Sequence, residues 1–140
     1  MYSSIGILET HPHKTGGIAE DGTGWLVIHA DPDICDYYIA QFNFEHRAKD
    51  VQIMKPSWSA HISVVRGEPV SNIELWNNLN NREIEFKYDP YLFLTGGKHY
   101  AFNVECDEAL SIREQLGLPR EPLCKLHLTV GVIKDPITKT

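Results

Sequence analysis

Twice in 140 residues the chain runs through one order of elements: an alternating strand, an aspartate placed to cap a helix, and a second strand with a histidine inside it. The copies occupy residues 25–66 and 100–133, and few residues match between them, so the repetition is one of pattern. No low-complexity linker divides them. A chain of this length suits a single domain, which buries roughly 68% of its unfolded surface and needs no disulfide staple. The reading is one domain over 1–140, built from an internal duplication.

In the first copy GWLVIHA reads as a strand, and Asp31-Pro32 reads as an N-cap with proline at the first helical position. Ile34, Cys35, Tyr38, Ile39 and Phe42 then share one helical face, so this helix lies against a sheet. SAHISVVR returns as a strand. Between the copies, Ser71 can cap a short turn holding Leu75 and Trp76, and Glu83 to Tyr88 alternates as a strand. Tyr91 to Thr95 offers another strand before the turn at Gly96-Gly97-Lys98. In the second copy YAFNVEC is a strand, Asp107 caps a helix carrying Ala109, Ile112 and Leu116, Gly117 ends it, and KLHLTVGVI closes the unit. Ahead of both copies lie a short strand, Ser4 to Leu8, and a Gly-rich stretch from 9 to 24 that reads as a loop or lid. Buried parallel strands run as continuous apolar stretches, whereas these alternate. The predicted class is therefore α+β with antiparallel sheets.

Residues i and i+2 of a strand share a face. Lys125, His127 and Thr129 thus project together, with Leu126, Leu128 and Val130 behind them in the core. His61 and Ser63 project in the same way, backed by Ile62 and Val64. One His-x-Ser on a strand is ordinarily an exposed polar edge. Two such pairs, each ending a repeat, point to a site. These motifs, His61-Ile62-Ser63-Val64 and His127-Leu128-Thr129-Val130, resemble the paired His-hydrophobic-Ser/Thr-hydrophobic motifs of the 2H phosphoesterase superfamily. SWSAHISVVRGE and LHLTVGVI are also similar to the phage anti-CBASS nucleases, which degrade the cyclic oligonucleotide signals of bacterial antiviral defence.

The resemblance implies two pseudo-symmetric lobes, each an antiparallel sheet with an outer helix, and an active-site cleft between them. It implies cleavage of phosphodiesters without metal or other cofactor, with His61, Ser63, His127 and Thr129 as the catalytic set. The chemistry suits these side chains. Two imidazoles can hold one neutral and one protonated ring together near neutral pH, one serving as base and the other as acid. Two hydroxyls can donate hydrogen bonds to the non-bridging oxygens. Which histidine is the base is not readable from sequence. Candidate substrate contacts are Lys14 in the Gly-rich loop, Lys125 beside His127, and the stacking surfaces of Trp58, Trp76 and Tyr88, with Tyr2 and Tyr100 as weaker versions. Arg66 alternates to the face opposite His61, where a lobe-edge charge and a phosphate contact are balanced readings.

Composition narrows the partners. A net charge of -6 argues against long nucleic acid, which is bound by neutralising many phosphates, and leaves a small cyclic oligonucleotide or cyclic-phosphate nucleotide. No apolar stretch is long enough for a membrane span and no secretory leader is read, so the expectation is cytoplasmic (host cytoplasm if phage-encoded). Three cysteines without CxxC spacing predict buried free thiols. His11-Pro12-His13 resembles a metal pair, but the proline and the loop argue against a preformed site, and Asp31 and Asp33 are better explained by capping. His29, His46 and His99 have no partner at an informative spacing. Three rivals stand beside the main reading: a 2′,3′-cyclic phosphodiesterase of RNA ends, a sponge that binds cyclic nucleotides without cleaving them, and a metal-dependent hydrolase.

Overall fold

The alternation of Glu83–Tyr88 is reproduced residue by residue in the computed structural model, with Ile84, Phe86 and Tyr88 buried and the residues between them exposed. The structure describes residues 1–11 and 22–134. Its strands are β1 (Tyr2–Thr10), β2 (Thr23–His29), β3 (Ile53–Met54), β4 (His61–Pro69), β5 (Glu83–Tyr88), β6 (Phe93–Thr95), β7 (His99–Glu105) and β8 (His127–Ile133). The helices are α1 (Pro32–Glu45), α2 (Ile73–Asn77) and α3 (Asp107–Gln115). The expected α+β class holds. Every pairing is antiparallel, in the order β3-β8-β4-β2-β1-β5-β7-β6, and a further β7–β8 pairing closes six strands into a ring.

That ring is held unevenly. β2–β4 and β7–β8 pair along most of their length. In contrast, β4 meets β8 at the single described pair Ile62–Leu128, and β5 meets β7 at Lys87–Glu105 and Tyr88–Val104. One face of the strands is apolar: Leu26, Ile28, Ile62, Val64, Phe86, Phe102, Leu128 and Val130 are all essentially buried. The helices add Cys35, Ala109, Ile112 and Leu116 to that same core. α1 and α3 each lie against the other copy's histidine strand. Cys35 of α1 contacts the Thr129 carbonyl of β8 at 3.8 Å, and Arg113 of α3 donates to the Val64 carbonyl of β4 at 2.9 Å.

Local sequence explains the ends of these elements. Asp31 caps α1 as expected, accepting from the Asp33 amide at 2.9 Å. The cap of α2 is Asn72, not Ser71: Asn72 tolerates the left-handed φ of 57° and accepts from the Leu75 amide, while the Ser71 hydroxyl donates to the Leu116 carbonyl. Asp107 is the first residue of α3 and not its cap; Cys106 holds that position, and Asp107 instead places its charge at the positive end of the helix. Of the stretch read as a loop from 9 to 24, Glu9 and Thr10 belong to β1 and Thr23 and Gly24 to β2. Its middle, with Lys14, lies outside the described residues.

Candidate active site

The two motifs meet at the seam between β4 and β8. Their central residues, Ile62 and Leu128, form the antiparallel pair that joins the strands. Counting outward from it sets His61 against Thr129 and Ser63 against His127, the arrangement a local two-fold produces. All four are half-buried and alternate to the face opposite the buried Ile62 and Leu128. The shared central pair thus brings the two motifs side by side on one face of the seam.

Both rings are fixed by the same contact. His61 Nδ1 lies 2.8 Å from the carbonyl of Ser59, two residues earlier, and His127 Nδ1 lies 2.9 Å from the carbonyl of Lys125, also two residues earlier. A carbonyl only accepts, so Nδ1 carries the proton in each neutral ring and Nε2 is its basic nitrogen. The residue three before each histidine also touches its ring. Trp58 sits 5.4 Å from His61 between ring centroids, and Cys124 Sγ is 3.8 Å from His127 Nδ1. At the matching position the first motif thus has an aromatic face and the second a thiol.

Several expected contacts are placed elsewhere. Trp58 is 48% exposed beside His61. Trp76 is a correction: it is 2% exposed, and a Cβ on Gly24 would lie 2.6 Å from its ring, so no face remains for a base. Tyr88 is a second correction. It is buried on the apolar face against Phe102 and Tyr38, and burial together with a hydrogen bond to Tyr88 pushes the Tyr38 hydroxyl up to about 12. Tyr2 packs on Tyr88 and Tyr100 on Phe42, away from the motifs. Lys125 is exposed just before β8 and supplies the carbonyl that holds His127.

Arg66 is on the histidine face, contrary to simple alternation. Leu26 pairs Val65 while Val27 pairs Ser63, so Val64 is the extra residue of a bulge. The shift returns Arg66, opposite Trp25, to the face of His61. His29, without a partner at any informative sequence spacing, has one in space. It is the register partner of His61 across β2–β4, and its Nε2 lies 3.1 Å from Glu9 Oε1. Only the strand register reveals it. Among the thiols, Cys35 and Cys106 are buried as expected, and burial raises Cys35 to about 11. Cys124 is a correction: it lies in the exposed approach to β8.

No group of three or more metal-ligating side chains occurs among the described residues. Among them, no helix is long and apolar enough to cross a membrane. No family model, curated protein or solved structure matches this chain.

Proposed function

We propose that this chain is a metal-independent phosphodiesterase of the two-histidine type that opens small cyclic oligonucleotides. The observation that carries the reading is the meeting of the two motifs at Ile62–Leu128, with both imidazoles held through Nδ1 by the carbonyl two residues earlier. A merely exposed polar edge has no reason to hold both rings identically. In this reading the sheets on either side of the seam act as two lobes, and the histidine face is the cleft between them.

The chemistry follows from the atoms presented. At a 3′,5′ linkage with a free 2′-hydroxyl, Nε2 of the neutral histidine takes the hydroxyl proton and the 2′-oxygen bonds to phosphorus. The phosphorus–O5′ bond breaks, and the protonated histidine gives its proton to O5′. The products are a 2′,3′-cyclic phosphate and a 5′-hydroxyl. Ser63 and Thr129 donate to the non-bridging oxygens as charge builds there. Trp58 stacks on the base nearest His61, and Arg66 offers positive charge on the same face. Removing ring signals of this kind would place the chain among the countermeasures to cyclic-nucleotide defence that the motifs resemble.

The test is chromatography of the products after incubation with cyclic dinucleotides, cyclic trinucleotides and 2′,3′-cyclic AMP, all in EDTA. Linear products from the rings support the proposal. Turnover of 2′,3′-cyclic AMP alone transfers the chain to RNA-end metabolism. Loss of all turnover in EDTA overturns the metal-free mechanism, and intact substrates without EDTA overturn the enzyme.

A further inference from the structure

We infer that the cavity flanking His127 is a nucleobase pocket that selects guanine, an inference that rests on the phosphodiesterase reading above. The cavity holds about 750 Å³, within the size range of small-molecule sites. It opens where β5 and β7 separate beyond their two described pairs, and Glu85, Lys87, Asn103 and Glu105 line it with Phe86 and Val104.

Strand register ties it to the motif. Asn103 is the cross-strand partner of His127. Glu105 is two residues further along the same face of β7, and Lys87 of β5 pairs with Glu105. Lys125, whose carbonyl holds the His127 ring, lines the cavity as well. A continuous stripe therefore runs from the imidazole into the cavity, across no more than three strands. A phosphate at His127 would put its own nucleoside within reach of that stripe.

Charge decides which part of the nucleotide enters. The rim carboxylates of Asp107 and Glu108 are paired, to Arg120 at 3.4 Å and Arg82 at 3.6 Å. Glu85 and Glu105 make no ion pair among the described residues. A carboxylate accepts hydrogen bonds and donates none, so these two repel phosphate and call for a donor edge. Guanine offers two adjacent donors, its ring N1–H and its exocyclic amino group. Adenine and cytosine offer one amino group beside an acceptor, and uracil flanks its single N–H with carbonyls. Leu110 and Pro122, both only half-buried, supply apolar contact for the ring, and the Asn103 amide can serve an acceptor on the base.

The experiment titrates the full chain, in EDTA, with guanosine 3′-monophosphate and separately with uridine 3′-monophosphate by calorimetry. The expected result is at least tenfold tighter binding of the guanosine compound. In the Glu85→Gln/Glu105→Gln variant, with its melting transition unchanged, that margin should fall to within twofold. Equal binding of both nucleotides by the native chain, failure of the guanosine compound to bind, or a margin that survives the double substitution would each overturn the pocket. Cleavage of the matching 2′,3′-cyclic nucleotides is measured in parallel. A binding margin without cleavage of any substrate leaves the pocket and removes the phosphodiesterase, whereas cleavage without a margin does the reverse.

Discussion

Replacing Glu68 by glutamine should destabilise the protein by about 3 kcal/mol while barely changing its shape. Arg113 is 1% exposed, and its guanidinium donates to four acceptors: both oxygens of Glu68 at 2.8 and 2.9 Å, the Val64 carbonyl at 2.9 Å and the Pro119 carbonyl at 3.0 Å. Removing the negative partner of a buried charge costs roughly 3–5 kcal/mol. Two carbonyls still hold the fork here, which argues for the lower end. In a domain of this size that is a fall of roughly 10 °C in Tm. The pH dependence adds a signature. The hydrogen bonds from Arg113 hold the Glu68 carboxyl below its ordinary 4.5, against the opposing pull of burial. A carboxyl depressed in the fold contributes stability above its unfolded value and loses it as pH falls through the folded one. Melting followed by circular dichroism from pH 7 to pH 3 should therefore show a steeper acid decline in the native chain than in Glu68→Gln. Adding Arg113→Met to Glu68→Gln should recover part of the loss, since no buried charge is then unpaired. A Glu68→Gln protein within 1 kcal/mol of the native one, with the same acid limb, would refute this account of how α3 grips β4.

Leu128→Ala at the seam removes a fully buried side chain and should cost about 2–5 kcal/mol in chemical denaturation. Gly24→Ala drives a methyl into the Trp76 ring and should cost about 1–3 kcal/mol; a neutral result would mean that Trp76 is not packed there. Thr129→Val removes one donor to the non-bridging oxygens and should lower kcat by about 10²–10³-fold in steady-state assays, with KM little changed. Trp58→Ala should raise KM, by the loss of stacking worth about 1–3 kcal/mol per base, and leave kcat nearly intact.

The two His-x-Ser/Thr pairs could be read in the sequence because a period of two along a strand assigns each side chain to a face without knowledge of the partner strand. His61-x-Ser63 and His127-x-Thr129 needed nothing more. Arg66 was misplaced because a bulge at Val64 breaks that period, and no residue type in VVRGE announces it. His29 shows no partner in the sequence because its neighbour, His61, is 32 positions away and meets it only through the β2–β4 register. Trp76 and Tyr88 misled for a different reason. An aromatic residue bound for the core and one that stacks on a ligand look alike until packing is known, and Gly24 and Tyr38 are what cover these two. The ring of strands was also beyond a linear reading, since it closes through the brief contacts of β4 with β8 and β5 with β7.

The central claim is that His61 and His127 act as one acid-base unit. Its most direct test is the rate of ring opening of a cyclic dinucleotide in EDTA by the native chain, His61→Ala, His127→Ala and the double variant. General acid-base catalysis is worth about 10²–10⁴-fold, so each single variant should lose at least ~100-fold. Groups that act together lose their effect together, so the double variant should be no worse than the poorer single one. A single variant that keeps native activity, or losses that multiply in the double variant, would contradict the account.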